Sequence, residues 1–247
     1  MRYAVISDIH SNIEAFEAVA AYLDKNPVDS IISCGDIVGY GPSPSECVKK
    51  ALSIKNFRSV AGNHDAAAAG KIPADGFNAD ALASLEINKK LLGKDDLKYL
   101  SSLPEYISEN DTLFVHGSPR KKLTEYLFLM EKFKSNISAF NESVCFIGHT
   151  HHPLIYQFNT LTGADTFINI EEDSEMYTLA EGKKYIINVG AVGQPRDGKA
   201  SACLTFYDSK VKTFNFKRIP YDVPAVQAKM KKLGMPEALI TRLSSGY

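Results

Sequence analysis

The sequence predicts an α/β fold in which two mixed β-sheets stack face to face with α-helices outside, and three observations lead there. The first third alternates short apolar runs with segments of helical period, as βαβ units do. The second half carries strand-like apolar runs with few intervening segments long enough for a helix, which favours antiparallel pairing. A length of 247 residues with 45% apolar residues suffices for one well-covered core, so residues 1–247 are expected to form one domain.

The elements follow in order. Residues 3–7 read as a strand, Ile13, Phe16, Val19, Ala20 and Leu23 recur at helical spacing, and residues 30–34 form a second strand. Ser11-Asn12-Ile13-Glu14 and Ser43-Pro44-Ser45-Glu46 have the capping-box form, so Ser11 and Ser43 are expected to cap two helices. A third strand includes Ser59 and Val60 and ends at Gly62-Asn63-His64-Asp65, after which the alanines at 66–69 begin a short helix stopped by Gly70. Residues 71–77 read as loop; Ala81, Leu82, Leu85, Leu91 and Leu92 then keep a helical period, and a further helix covers 95–103. Residues 66–103 are thus a candidate helical cap over a site. Later strands are predicted over 112–115, 144–147, 154–158, 185–189, 202–207 and 211–216, with one amphipathic helix over 223–243 to close.

Composition narrows the function. The formal net charge is −1 with lysines and arginines scattered, which leaves no electrostatic footprint for a long nucleic acid and suits a small phosphorylated substrate. The N-terminus meets the charged Asp8 after a short apolar stretch, so neither a signal peptide nor a membrane anchor is expected, and a cytoplasmic location is. Cys34, Cys47, Cys145 and Cys203 lie far apart, which favours buried free thiols over a cysteine-based zinc site. A homo-oligomer is compatible with all of this.

The chemistry sits where the predicted strands stop. There the chain presents Asp8-Ile9-His10, Gly35-Asp36, Gly62-Asn63-His64-Asp65, His116-Gly117 and Gly148-His149-Thr150-His151. Loops at the carboxyl ends of strands are where α/β folds place their sites, so the five groups are expected to converge. In an extended segment residues i and i+2 point the same way, which would aim Asp8 with His10 and His149 with His151. A lone histidine is more often a satisfied core or loop residue, but all six histidines lie in these groups or, for His152, beside one. Glycines next to Asp36, Asn63, His116 and His149 make room for crowding around ions.

The order D-x-H, G-D, G-N-H-[DE], H, G-H-x-H resembles the calcineurin-like metallophosphoesterase superfamily over about residues 1–198. His116-Gly117-Ser118-Pro119 and Asn188-Val189-Gly190-Ala191-Val192-Gly193 resemble its small prokaryotic phosphodiesterase branch. The resemblance implies two divalent metal ions, one held by Asp8, His10 and His151, the other by Asn63, His116 and His149, with Asp36 bridging both. Mixed imidazole and oxygen donors suit Mn, Fe, Zn, Ni or Co better than Ca or Mg. Two ions about 3.5–4 Å apart lower the pKa of a shared water and grip phosphate oxygens during in-line displacement, so hydroxide, not a serine or cysteine, is the expected nucleophile.

By the same resemblance His64 faces the substrate and is expected to protonate the leaving oxygen. Asp65 is expected either to orient His64 and raise its pKa or to N-cap the helix beginning at Ala66. Arg196 is a candidate for gripping a substrate phosphate, or else a loop ion pair; with Asn63 and His64 it completes the substrate-binding set. The expected activity is hydrolysis of a small, nucleotide-like phosphodiester. A phosphomonoesterase or protein phosphatase with the same site, and a catalytically silent metal-binding scaffold, are the rivals.

Overall fold

The computed structural model describes residues 1–170 and 173–247. The chain opens with β1 (Arg2–Ile6), α1 (Ile13–Lys25), β2 (Ser30–Ser33), α2 (Pro44–Ser53) and β3 (Phe57–Ser59), three parallel strands joined by two helices. Three helices follow in succession, α3 (Asn63–Ala68), α4 (Ala79–Leu91) and α5 (Lys94–Ser102). Next come the hairpin β4 (Tyr106–Glu109) and β5 (Thr112–Val115), then α6 (Met130–Asn136). The strands β6 (Val144–Ile147), β7 (Leu154–Asn159), β8 (Asp165–Asn169), β9 (Tyr177–Thr178), β10 (Lys183–Asn188), β11 (Ala202–Asp208) and β12 (Thr213–Ile219) precede two last helices, α7 (Val223–Lys232) and α8 (Glu237–Ser245).

The strands form two mixed six-stranded sheets, ordered β3-β2-β1-β11-β12-β9 and β4-β5-β6-β10-β7-β8. Period-two alternation sorts their side chains. Tyr3, Val5, Ile32, Phe214 and Phe216 of the first sheet meet Phe114, Val144, Phe146, Tyr185 and Ile187 of the second in the layer between them. The opposite faces turn outward: Ala4, Ile6, Ile31 and Leu204 pack on Phe16, Val19, Val48 and Ala51 of α1 and α2, and Cys145, Ile147 and Ile186 pack with Phe133 of α6. The central strands β1, β2, β5, β6, β10 and β11 are therefore covered on both faces, which is why they are legible as hydrophobic runs. The four cysteines are buried and free.

Several expectations give way for local reasons. Asn12, not Ser11, caps α1, its Oδ1 accepting from the amide of Ala15 at 3.0 Å. Ser11 adopts φ 52° and turns its hydroxyl away from the helix. Ser43 occupies the N-cap of α2 but its side chain makes no capping bond; Pro44 starts that helix. The single helix expected over 223–243 is two, because Gly234 at φ 66° ends α7 and Pro236 cannot continue it. The last strand begins at Thr213, since Lys212 at φ 54° belongs to the hairpin turn. The unpredicted β4, β8 and β9 are all edge strands, half-covered at most, so they carry no apolar run. Among the described residues no helix is long and apolar enough to cross a membrane.

Candidate metal centre

Five loops at the carboxyl ends of β1, β2, β3, β5 and β6 deliver Asp8, His10, Asp36, Asn63, His116, His149 and His151 into one buried cage. They do so with a contorted backbone. Asp8, His10, Asp36, His149 and His151 have φ between 48° and 66°, a region that asparagine, aspartate and histidine enter more readily than bulkier residues. The extended geometry expected for Asp8-Ile9-His10 and for His149-Thr150-His151 is thus absent. Left-handed residues at both ends of each tripeptide aim the side chains instead, and His149 and His151 fall into different groups. Two glycines are obligatory neighbours: a Cβ on Gly62 would lie 1.9 Å from Asp36 Oδ1, and one on Gly148 would lie 1.9 Å from Ser7 Oγ and 2.5 Å from Asp8 Oδ2.

Donor atoms cluster tightly enough for metal ions in three overlapping groups: Asp8 with His10 and His151, Asp36 with His116 and His149, and His10 with Asp36 and His64. Backbone carbonyls fix the imidazole tautomers. His10 Nδ1 donates to Val38 O at 3.1 Å, His116 Nδ1 to Cys34 O at 2.8 Å, and His151 Nδ1 to Gln194 O, so each ring turns the lone pair of Nε2 into the cage. His10 Nε2 faces His151 Nε2 at 3.1 Å, and Asp8 Oδ1, buried without a hydrogen-bond partner, lies 3.5 Å and 3.2 Å from them. In the second group His116 Nε2 lies 2.9 Å from His149 Nδ1 and 2.9 Å from Asn63 Oδ1. Asp36 Oδ2 stands between the groups, 3.6 Å from His10 Nε2 and 3.3 Å from His116 Nε2.

Lone pairs so arranged repel one another unless a cation sits among them, which is the sense in which these residues fit metal ions. The electrostatics agree. Burial opposes charge on Asp8 and Asp36, yet the surrounding imidazoles hold both carboxyls below their usual range. Burial pushes His151 down to about 3, with Arg196 adding to the effect, and pushes His149 well below its ordinary value. Burial would also lower His116, but Asp36 overrides it and lifts the ring to about 9. Ionised carboxylates beside neutral His149 and His151 are protonation states that ligate metals, whereas His116, held protonated by Asp36, would release its Nε2 proton on entry of a cation into the cage.

His64 stands at the cage wall. Its Nδ1 is buried without a partner against Gly39, and its ring packs 4.4 Å from Tyr40, 4.5 Å from Phe77 and 5.0 Å from His10. Asp65 takes neither expected role. It is the third residue of α3, its Oδ2 accepts from Gly62 N at 3.0 Å and its Oδ1 from Val38 N at 3.1 Å, so the carboxylate clamps two loops and does not touch the His64 ring. Burial, then the proximity of Asp36, pushes Asp65 up to about 7, while burial pushes His64 down to about 3.

Beside the cage opens a cavity of about 290 Å³, reached by Asn63, His64 and His149 and walled by Tyr40, Phe77 and Tyr126. Ile72, Pro73, Gly76, Phe77, Asn78 and Ala81 of the expected cap line it. Tyr126, 40% exposed, stacks on the His149 ring at 3.7 Å. Arg196 lies at the rim with its guanidinium 5.4 Å from the Tyr40 ring centroid and donates to Gln194 Oε1, with no carboxylate partner among the described residues. His152 stays outside the donor groups, its Nδ1 bonded to Thr150 O.

Sequence reasoning missed Tyr126, Gln194 and Asn88. Asn88, buried on α4, accepts from Ser11 Oγ and Gly39 N at 2.8 Å each and donates to Gly41 O at 2.9 Å, pinning the metal-site loops to the helix. A polar residue in an apolar helical period was the available signal.

Three comparisons bear on this geometry. The calcineurin-like phosphoesterase superfamily domain matches residues 1–210. An uncharacterized protein of Methanocaldococcus jannaschii is 38% identical over 256 residues, covering 98% of this chain and 97% of that protein. The crystal structure of a metallophosphoesterase from Sphaerobacter thermophilus superposes with a TM-score of 0.88 at 40% identity, over 100% of this chain and 99% of that one. A hypothetical protein from Pyrococcus horikoshii OT3 shares the fold, with a TM-score of 0.79 at 18% identity over 100% and 98% of the two chains.

Proposed function

The chain belongs to the calcineurin-like phosphoesterase superfamily, and on that premise we propose that it is a phosphodiesterase that works with two divalent cations, drawn from Mn, Fe, Zn, Ni and Co. The observation that carries this reading is the position of Asp36 Oδ2 between two sets of inward-facing donors whose tautomers the backbone has fixed. Asp8, His10 and His151 would hold one cation, and Asn63, His116 and His149 the other. Two such cations, when bound, supply Lewis acidity, lowering the pKa of a water toward neutrality and drawing charge from phosphate oxygens.

The remaining work falls to this chain's residues. Asn63 turns Oδ1 toward His116, which leaves Nδ2 to donate to a phosphate oxygen. His64, with Nδ1 buried, presents Nε2 to the cavity, and burial by itself keeps the ring neutral. The negative charge of a bound substrate would favour its protonated form, from which it would donate the proton that the leaving oxygen needs as its bond to phosphorus breaks. The esterified group occupies the cavity against Phe77 and Tyr126, and the 71–77 segment thereby acts as a specificity lid. Among the described residues the cavity lining includes no lysine or arginine, and that favours a diester at this wall, since a monoester brings an additional negative charge.

Metal-stripped protein resupplied with each metal and assayed on bis-p-nitrophenyl phosphate beside p-nitrophenyl phosphate tests the proposal. The diester is expected to turn over faster. Preference for the monoester would make the protein a phosphatase, and no turnover of either ester with any metal would leave only a scaffold.

A further inference from the structure

Two guanidinium groups converge on a single oxygen at the rim of the cage. Arg196 donates to Gln194 Oε1 from Nη2 at 2.8 Å and from Nε at 3.3 Å. Arg242, one turn from the end of α8, donates to the same oxygen from Nη1 at 3.3 Å. Gln194 is buried, and its backbone carbonyl accepts from His151 Nδ1, so the amide that gathers the cations is tied directly to a candidate metal donor. Arg196 has no carboxylate partner among the described residues. Arg242 Nε donates to Tyr247 O, and Asp80, the acid that influences Arg242, lies beyond ion-pair distance.

Like charges held this close repel, and the neutral Gln194 oxygen that they share offsets the repulsion only in part, so an anion placed between them would be held by both. The pair is also rigidly mounted. Met230, Leu239, Ile240 and Leu243 of α7 and α8 pack in one cluster with Tyr40 and with Ala81 of α4, which docks the C-terminal helices against the ring lying 4.4 Å from His64. These helices follow the 210 residues matched by the superfamily domain. They add a charge to the rim that the domain itself does not supply.

We propose that Arg196 and Arg242 form a subsite for a second phosphate group of the substrate, one that is bound and not hydrolysed. The inference rests on the cage being a phosphoesterase centre. Guanidinium forks match phosphate geometry, and two monocations balance a terminal phosphate dianion better than the single charge of a carboxylate. The substrate class is then a phosphodiester that carries a separate terminal phosphate.

The test compares thymidine 5′-(p-nitrophenyl phosphate) with the same diester bearing a 3′-phosphate, using the metal-loaded full chain and reading p-nitrophenol. The wild-type protein is expected to show a KM about tenfold lower for the 3′-phosphorylated diester, the ratio that one charge-assisted contact supports. Arg242→Gln should erase that ratio while kcat and KM on the plain diester stay unchanged, and Arg242→Lys should keep part of it. Equal KM values in the wild type, or an equal loss on both substrates in Arg242→Gln, would overturn the subsite. Calorimetric titration with thymidine 3′,5′-bisphosphate and thymidine 5′-monophosphate separates this proposal from the activity. Tighter binding of the bisphosphate, lost in Arg242→Gln, upholds the subsite even in a protein that turns nothing over, and equal binding of the two rejects it.

Discussion

In the cage, backbone holds side chains: carbonyls of Val38, Cys34 and Gln194 fix His10, His116 and His151, and every candidate donor sits within a few residues of a strand end. At the rim, side chains hold side chains: the Gln194 amide gathers two arginines, the Asn88 amide ties Ser11 to the loops at Gly39 and Gly41, and Tyr126 leans half exposed on His149. The cage depends on strand ends that the whole fold stabilises, whereas the rim depends on contacts between elements distant in sequence. On the proposed reading, reaction chemistry would sit at the strand ends and substrate choice at the rim.

The sharpest way to break that division is at Asp36, whose Oδ2 serves both donor groups. Asp36→Asn should lose metal from both positions, with turnover falling by more than about a hundredfold; full metal content by elemental analysis together with wild-type turnover would remove Asp36 from its shared position. Next is His64, which lies on the boundary. His64→Ala should keep its metal and lose on the order of a hundredfold in kcat, as expected for a lost general acid. Loss of metal in this variant would instead move His64 into a donor set with His10 and Asp36. At the rim, replacing residues 71–77 with a short glycine linker should change the KM ratio between bulky and small diesters about tenfold with kcat retained. A matching fall in kcat on every substrate would mean the segment serves the cage. The smallest effect concerns stability: Asn88→Ala leaves buried partners unsatisfied at about 1–3 kcal/mol each, and a melting scan should find Tm lower by roughly 5 °C or more with metal content intact.

The same division decides what the sequence could reveal. Asp8, His10, Asp36, Asn63, His116, His149 and His151 are legible because each stands in a short motif at the end of an apolar strand, and the central strands are legible because both faces are buried. How the side chains are aimed is not legible, since it depends on left-handed backbone at Asp8, His10, His149 and His151 that period-two reasoning cannot supply. Asp65 misled for a related reason: the residue after a histidine suggests an orienting partner, but the short α3 turns its carboxylate back onto Gly62 and Val38. Edge strands such as β8 lack an apolar run, and Arg242 lies 46 residues beyond Arg196 with no motif linking them, so only the packing of α8 on Tyr40 brings them together.

The central claim is that one cage holds two cations sharing Asp36. Anomalous diffraction from crystals of the manganese-loaded protein tests it directly. Two peaks about 3.5–4 Å apart, with Asp36 between them, Asp8, His10 and His151 around one and His116 and His149 around the other, are the predicted result. A single peak, or peaks away from these residues, would contradict it.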